Sequence, residues 1–468
     1  MGRSGNIRAL EEEPIFRLLI KYSLPAIAGM VVMSLYNIVD SIFIGHGIGD
    51  LALSGMAITF PIMNLSIAIS TLIGLGGATV SSLKLGAQKT RSAQKVLGNV
   101  IMLGFITGLL IGPVTVFFLK DILLLFGASE QTLPYAYDFM RIILLGMPIT
   151  HSFFNLNNVM RSTGYPQKAM YSMMLTVVIN FILAPLFIFV FQWGMTGAAS
   201  ATLISQIVGL AWVILHFCKP NSTVHFRAGI YRLRWSIILP ILSIGMAPFL
   251  VNACACAVAI IVNRSLLSTG GDLAVGAFGI INRVLILFIM LTIGITQGMQ
   301  PIVGYNYGAR HFDRVRQALK YAILGGTVFT TAGFLVSQIF PHLIASLFNA
   351  KGELAIFTIT GLHLTTLAYP LVGGQIVIGN FFQAIGKARI SVFLSTTRQL
   401  IFLIPALFIL PKYWGYSGVW YSFPTADVLS VLVTIAVFIR FSQRNKWISG
   451  SGSYLNHDTR GSFPLFPS

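Results

Sequence analysis

Residues 96–119 read VLGNVIMLGFITGLLIGPVTVFFL, and no charged side chain occurs between Lys95 and Lys120. A hydrocarbon core about 30 Å thick needs about 20 apolar residues in a helix that crosses it. The stretch is therefore predicted to be a transmembrane helix. The whole chain is 55% hydrophobic and 9% charged, whereas globular proteins are about 25% charged. This composition predicts an all-α membrane protein that lies in a lipid bilayer.

Similar apolar segments recur along the 468 residues and predict twelve transmembrane helices. The loops between them alternate, and one set carries most of the Lys and Arg residues together with the two termini. Because such residues concentrate on the cytoplasmic side, both termini are predicted to be cytoplasmic. The net charge of +18 has the same explanation, and no nucleic-acid partner is expected. The spans are predicted near residues 18–44, 51–80, 96–119, 134–157, 168–191, 197–217, 236–266, 275–302, 318–340, 354–380, 390–410 and 417–440.

The chain also repeats itself at a nearly constant interval. The tetrapeptide GDLA at residues 49–52 returns at 271–274, and we call the interval from Gly49 to Gly271 the repeat offset. At nearly the same interval Trp193-Gly194 returns as Trp414-Gly415. Each copy holds six spans and enters the membrane in the same direction. The repeat therefore predicts two pseudo-symmetric six-helix bundles, an arrangement that commonly encloses a substrate site.

The predicted domain limits follow from the spans and the repeat. They are a cytoplasmic N-terminal segment (1–17), a first bundle (18–217), a cytoplasmic linker (218–235), a second bundle (236–441) and a cytoplasmic tail (442–468) that is expected to be disordered.

Two acidic residues, Asp40 and Asp427, fall within predicted spans. A charge at the centre of a membrane helix costs about 2.5–3.5 kcal/mol on insertion scales, so such residues usually face water or a partner. Helical spacing places Tyr36, Asn37 and Asp40 on one face of the first span. In the outer half of that span Asp40 can meet H⁺ or Na⁺ from outside, and the alternative is an acid that reaches the membrane interface. Pro25, in the same span, offers a bend for gating.

Asp427 has two possible countercharges, Arg398 and Arg283, so a structural ion pair and a substrate contact both remain open. Further polar side chains lie in spans, where they form interhelical hydrogen bonds or line a cavity. The candidates for the cavity are Asn157, Gln206, Arg283, Gln375 and Asp427, and the other polar residues of this kind are Asn155, Asn158, Asn180 and Thr202.

Several motifs resemble those of the multidrug and toxic compound extrusion (MATE) family. The first is Leu24-Pro25 followed by LYNIVDSIFIG at residues 35–45. The likeness runs from about residue 14 to residue 441, and it rests on the ensemble of motifs. The others are NFILAP at 180–185, GAASAT at 197–202, QGMQP at 297–301 and GYNYGA at 304–309.

The resemblance implies two six-helix bundles around a cavity, and antiport of drugs against H⁺ or Na⁺ by alternating access. It implies cation coupling through Asp40, with Asn180 and Thr202 nearby, and no other cofactor. The family often has Asp where this chain has Ala184, and hard cations require several oxygen ligands. H⁺ carriage by Asp40 is therefore favoured, although Na⁺ at Asp40, Asn180 and Thr202 stays open.

The two halves of the repeat differ at the position of Asp40. The counterpart of Asp40 in the second half is Val262 or Asn263, neither of which is acidic. Coupling is therefore predicted to be confined to the first half.

Together these features predict a monomeric secondary efflux transporter in the bacterial inner (plasma) membrane. Its substrates are expected to be small cationic or amphipathic molecules. The main alternative is a flippase for lipid-linked precursors, which would need more basic residues than Arg283 and Arg398. An enzyme is not expected, because His151 and His363 are isolated and no HExxH or GxSxG motif occurs. A membrane scaffold is disfavoured by the buried acid.

Overall fold

The computed structural model describes residues 5–444, apart from the side chains of residues 5–7, 34, 35, 37 and 38. Within this range all regular secondary structure is helical. The tail was predicted to be disordered from residue 442, but residues 442–444 are helical, and the rest of the tail, from 445 onward, lies outside the described residues. Two π-helical turns, Leu186–Val190 and Thr397–Leu403, occur in the first and second halves. The α-helices are α1 (Gly5–Glu12), α2 (Ile15–Gly47), α3 (Asp50–Gly86), α4 (Thr90–Phe117), α5 (Leu119–Leu125), α6 (Leu133–Leu145), α7 (Met147–Ser162), α8 (Pro166–Pro185), α9 (Gly194–Cys218), α10 (Trp235–Gly308), α11 (Phe312–Ile339), α12 (Pro341–Leu347), α13 (Glu353–Thr365), α14 (Tyr369–Ala384), α15 (Ala388–Thr396) and α16 (Ile404–Arg444).

The long helices account for the twelve predicted spans. Among the described residues, eight continuous helical stretches are long and apolar enough to cross a bilayer. Two more spans are bent pairs, with a bend of 57° between α6 and α7 and of 55° between α13 and α14. Two of the eight stretches each contain two spans. Gly271 (φ 69°) divides α10 and Gly415 (φ 56°) divides α16, in conformations that glycine adopts without strain.

The helix boundaries confirm the internal repeat. The helices α4 and α11 begin and end at residues that are separated by the repeat offset. The same holds for α5 and α12, and for α7 and α14. Gly49 and Gly271, which define the offset, both have a positive φ. The backbone therefore contains two copies of one six-span unit.

The chain separates into two compact units whose limits differ from the predicted bundle limits. The first unit is Ala28–Gly245 with the N-terminal segment up to Glu13, and the second is Pro14–Ile27 with the chain from Met246 onward. Consequently α2 begins in the second unit and ends in the first, while α10 does the reverse. The predicted linker, 218–235, belongs to the first unit.

Close contacts at glycines account for the unit to which the start of α2 and the start of α10 each belong. In the second unit a Cβ atom on Gly298 would lie 2.3 Å from Ser23 Oγ, so the start of α2 touches the α10 backbone. In the first unit a Cβ atom on Gly245 would lie 1.8 Å from the carbonyl oxygen of Leu72, in α3. Small residues allow such close helix packing in membranes. Hydropathy does not reveal which glycine meets which helix, so the sequence did not predict this division.

Each unit has an apolar core of its own. Phe139, Leu144 and Ala184 are buried in the first unit, and Trp420 and Val262 are buried in the second. Large apolar side chains also lie on the surface, as a bilayer environment requires. Examples are Phe117, which is 81% exposed, and Leu125, which is 82% exposed.

Candidate cation-coupling site

Asp40 is buried near the end of α2, in the first unit. Its side chain is 3% exposed, and Oδ1 has no hydrogen-bond partner among the described residues. A buried carboxylate is costly in its charged form unless a partner compensates the charge. A proton or a metal cation at this oxygen would therefore stabilise the side chain.

Thr202, on α9, is hydrogen-bonded to side chains of α2 and α8. Its Oγ1 lies 2.9 Å from the hydroxyl oxygen of Tyr36 and accepts a hydrogen bond from Asn180 Nδ2 at 3.2 Å. Thr202 donates its own proton to the carbonyl oxygen of Ala198 at 3.2 Å. Because a hydroxyl has one proton and two lone pairs, Tyr36 is then the donor in its bond with Thr202.

This pattern bears on whether the predicted set can hold Na⁺. Thr202 Oγ1 already uses its proton and both lone pairs, so it has no lone pair left for a metal ion. Asp40 supplies the one carboxylate, and position 184 is a buried alanine. Among the described residues no group of three or more His, Cys, Asp or Glu side chains comes together as a metal site. In this conformation Thr202 adds no ligand for Na⁺, which leaves Asp40 and the amide oxygen of Asn180 from the predicted set, whereas a proton needs only the Asp40 oxygen.

A small, half-open cavity lies beside the Thr202 hydrogen bonds, and the space of about 280 Å³ between its walls includes its open side. Its wall is mainly apolar and aromatic, with a few polar groups, which is the usual make-up of a small-molecule site. Asp40, one helical turn after Tyr36 on α2, is not part of the wall. The lining residues are Met33, Tyr36, Phe153, Phe154, Thr176, Val177, Asn180, Thr202, Ser205 and Gln206.

The two predicted cavity residues of the first unit have different surroundings. Gln206 lines the cavity, and its Oε1 accepts a hydrogen bond from Thr150 at 2.5 Å. Asn157 is buried between helices, and its Nδ2 donates to the carbonyl oxygen of Ala169 at 2.9 Å and to Ser172 Oγ at 2.7 Å. The structure therefore places Asn157 in the contact between α7 and α8, away from the cavity wall.

The three predicted cavity residues of the second unit have different surroundings. Arg283 is exposed, whereas Gln375 is buried and its Oε1 has no partner among the described residues. Asp427 is 1% exposed, and its Oδ1 accepts a charge-assisted hydrogen bond from Arg398 Nε at 2.5 Å. Of the two interpretations of Asp427, the ion pair is the one with a contact in the structure.

Pro25 lies inside α2, shortly before Ile27, after which the helix passes from the second unit to the first. This position suits the predicted gating bend. The side chain of Asn37, which was predicted to share a face with Asp40, lies outside the described side chains.

Sequence reasoning missed several cavity residues. Phe153 and Phe154 line the cavity from α7, and Ser205 lines it from α9. Thr150 fixes Gln206 from α7. Aromatic residues and isolated hydroxyls occur on every face of membrane helices, so no spacing in the sequence distinguishes these.

The family is decided by comparison with known proteins. Residues 25–186 and 244–409 match the family model described as MatE, once in each half of the chain. The chain belongs to the MATE family. Both matched segments fall within the repeat, as the resemblance in the sequence predicted.

Individual relatives agree with this assignment. The multidrug export protein MepA of Staphylococcus haemolyticus is 28% identical over 436 residues, which cover 93% of this chain and 95% of that protein. The structure of the MATE multidrug transporter DinF-BH in complex with rhodamine 6G is 36% identical, with a TM-score of 0.87, and covers 94% of this chain and 98% of that one. A crystal structure of MATE in the bent conformation, 24% identical and with a TM-score of 0.89, shows the same fold over 96% of this chain and 100% of that one.

MATE proteins are multidrug efflux transporters and not enzymes, as the sequence predicted. The chain is accordingly a multi-pass membrane transporter for small molecules, and its bacterial relatives indicate the plasma membrane.

Proposed function

We propose that this MATE protein exports small cationic or amphipathic molecules in exchange for H⁺, by alternating access. The observation that carries the proposal is the buried Asp40 carboxyl, whose Oδ1 has no partner among the described residues. It lies one helical turn from Tyr36, which belongs to the wall of the cavity. One helix thus holds the proton acceptor and part of the proposed binding site.

Coupling requires that H⁺ and the substrate favour different states of the transporter. A ligand shifts an equilibrium only by its difference in affinity for the two states. Protonation of Asp40 removes its charge and permits α2 to repack, whereas the charged form attracts a cationic substrate to the cavity. Moving one charge through 100 mV supplies about 2.3 kcal/mol, which is enough for a modest substrate gradient.

The composition of the cavity wall supports the substrate class. Tyr36, Phe153 and Phe154 offer aromatic faces, which attract organic cations. Met33 supplies a flexible, polarisable side chain that adapts to ligands of different shape. The relative DinF-BH was solved with rhodamine 6G, which makes this compound the first to test here.

H⁺ is preferred over Na⁺ as the coupling ion for a geometric reason. The lone pairs of Thr202 Oγ1 are occupied by Tyr36 and Asn180, and Ala184 adds no oxygen ligand. A proton, in contrast, needs a single acceptor with enough space to bind and leave.

The flippase alternative is not favoured. A site for a pyrophosphate group needs several unpaired cationic side chains in one pocket. Arg398 is paired with Asp427, and Arg283 is exposed. These two arginines, too few for a flippase by sequence, therefore supply no group of unpaired cations in the second unit.

The test is transport of rhodamine 6G by purified protein in proteoliposomes, with a pH gradient or a Na⁺ gradient imposed separately. We expect the pH gradient to drive transport, and Asp40→Asn to lower the rate at least tenfold. Asp50→Asn is the matched control, because Asp50 is an exposed acid at the start of α3 in the same unit. Wild-type rates in Asp40→Asn would refute the role of Asp40. Transport that follows only the Na⁺ gradient would refute H⁺ coupling.

A further inference from the structure

The connection between α9 and α10 ends in a short run of alternating residue types. Residues 231–235 read YRLRW, in which aromatic or aliphatic residues alternate with arginines, and we call them the YRLRW segment. All five residues are exposed, and the side chain of Trp235 is 69% exposed. Large apolar groups and guanidinium groups are thus displayed next to each other on the first unit.

The backbone of the YRLRW segment is fixed to α4. The buried Asn99 donates from Nδ2 to the carbonyl oxygen of Arg232 at 3.2 Å, and its Oδ1 accepts a hydrogen bond from the backbone N–H of Arg234 at 2.9 Å. Gly98 permits this close approach, since a Cβ atom there would lie 2.2 Å from the carbonyl oxygen of Ile230. The exposed side chains are therefore carried by a backbone that is held in place.

The second copy of the repeat has different residues at the matching position. The helix α11 copies α4 at the repeat offset, and Lys320-Tyr321 stands there in place of Gly98-Asn99. These larger side chains would occupy the space that the YRLRW backbone fills beside α4. The glycine and the asparagine thus serve the attachment of the segment and not the general packing of the six-span unit.

The YRLRW segment lies at the boundary between membrane and water. Asn99 comes one helical turn after Lys95, the last charged residue before the apolar part of α4, and Trp235 is the first residue of α10. Tyrosine and tryptophan are enriched at this depth, because each has an apolar ring and a polar hydrogen-bond donor. The basic loops predict that this end of the unit is cytoplasmic.

The two arginines of the segment have no carboxylate partner. Neither Arg232 nor Arg234 belongs to an ion pair among the described residues. The sequence has no acidic residue between Asp138 and Asp272, so the neighbouring parts of the chain supply no negative charge. Guanidinium groups form paired hydrogen bonds with phosphate oxygens. A phosphate-containing anion is therefore the chemical complement of this surface.

We propose that the YRLRW segment, held by Asn99, is a binding site for anionic phospholipids. Arg232 and Arg234 bind the phosphate group, and the three apolar side chains of the segment lie against the upper part of the acyl chains. Basic residues immediately beside a transmembrane helix attract lipids with a net negative charge. Because α10 begins at Trp235, a lipid bound here holds the start of that helix at a constant depth.

The lipid preference can be measured through the fluorescence of Trp235. The full-length protein is reconstituted in mixtures of phosphatidylcholine and phosphatidylglycerol, with brominated acyl chains on one lipid or on the other. Bromine quenches a tryptophan that it contacts, and the difference between wild type and Trp235→Phe isolates the quenching of this residue. We expect phosphatidylglycerol to bind beside Trp235 at least threefold more strongly than phosphatidylcholine, which has a phosphate but no net charge. Equal binding of the two lipids would overturn the proposal.

Two double variants with the same change in net charge separate this site from a general attraction of basic loops to the membrane. Arg232→Gln with Arg234→Gln removes both guanidinium groups and should make the binding of the two lipids equal. Lys89→Gln with Arg91→Gln is the matched control, because both residues are exposed at the start of α4, and it should keep the preference of wild type. Each double variant is compared with the same protein carrying Trp235→Phe. Equal losses in the two double variants would overturn the proposal.

A third variant tests the attachment without changing a charge. Asn99→Leu removes both hydrogen bonds to the segment, and we expect the preference for phosphatidylglycerol to fall at least twofold, because a site that is not held in place binds more weakly. Thr107→Val is the control on the same helix, since Thr107 bonds only to carbonyl groups within α4. An unchanged preference in Asn99→Leu would overturn the part of the proposal that concerns Asn99.

Discussion

Thr202 Oγ1 lies 2.9 Å from the hydroxyl oxygen of Tyr36, although the two residues are 166 positions apart in the chain. This contact joins α9 to α2 next to the turn that carries Asp40. A movement that carries this turn of α2 away from α9 after protonation of Asp40 would stretch or break the bond between Tyr36 and Thr202. The bond provides a physical link between the proton acceptor and the cavity wall.

The first prediction concerns this link. Thr202→Val keeps the shape of the side chain but leaves Tyr36 and Asn180 without their acceptor. We expect efflux of rhodamine 6G to fall at least tenfold and the free energy of unfolding to fall by about 1–3 kcal/mol for the unpaired polar groups. Efflux from proteoliposomes and the Tm measure the two effects. Thr196→Val is the control, since Thr196 makes only a local bond to the carbonyl oxygen of Trp193, directly before the same helix. An equal loss in both variants would contradict the role of Thr202.

The second prediction concerns the buried ion pair of the second unit. Arg398→Met leaves the Asp427 carboxylate buried and unpaired, which should cost about 3–5 kcal/mol of stability. The double variant Arg398→Met with Asp427→Leu removes both charges and should be close to wild type in stability. Thermal unfolding of the two purified variants tests this. If the double variant is as unstable as the single one, the pair does not act through charge burial.

A loss of efflux in a stable double variant would have a different meaning. It would show that Asp427 contacts the substrate or takes part in the transport cycle, which is the other interpretation that the sequence left open. Efflux of rhodamine 6G is therefore to be measured together with the Tm.

The third prediction concerns helix packing at glycines. Gly245→Ala places a Cβ atom 1.8 Å from the carbonyl oxygen of Leu72, so α3 and α10 must separate at a cost of about 1–3 kcal/mol. Gly279→Ala is the control in the later span of α10, after Gly271, because nothing lies within 4 Å of its added Cβ atom. Alanine should be neutral there or stabilise the helix by up to about 1 kcal/mol. Similar Tm values for the two variants would show that the contact at Gly245 is looser than the structure indicates.

The fourth prediction concerns the bend in α2. Pro25→Ala restores a backbone donor and removes the ring clash that bends a helix, for which a proline inside a helix costs about 3 kcal/mol. We expect a protein that is at least as stable as wild type, binds rhodamine 6G normally and exports it at least fivefold more slowly. Pro113→Ala, in α4, is the control for a proline inside another helix. Normal efflux in Pro25→Ala would exclude a gating role for the bend.

Much of the fold could be predicted from the sequence because a bilayer imposes simple rules. A span must be apolar for about 20 residues, and its backbone groups must be paired within the helix. Residues 96–119 satisfy both rules by composition alone. The helices break at Gly271 and Gly415 because glycine adopts a positive φ without strain. These breaks therefore also follow from short-range chemistry. The repeat could be recognised for the same reason, since the same local signals return in the second half.

The candidate site was partly predictable, through residues that share one helix. Tyr36 and Asp40 share a helical face by spacing, and Thr202 and Gln206 do so on α9. The hydrogen bond between Tyr36 and Thr202, in contrast, joins two helices, and no periodicity within either helix specifies which residues of the other it meets. The hydrogen bond between Ser66 on α3 and His151 on α7 was missed for the same reason, because each residue taken alone was an isolated polar side chain in an apolar span.

The sequence by itself determined that this protein is a helical membrane transporter with two related halves and with one carboxylate, Asp40, in its first transmembrane span. These properties depend on composition and on neighbours within a few turns, which act before any tertiary contact forms. Only the tertiary structure decided that Arg398 pairs with Asp427, that Asn157 binds α8 and not the cavity, and that α2 and α10 divide between the units. Such contacts depend on where glycines let helices approach, and therefore on residues that are far apart in the chain.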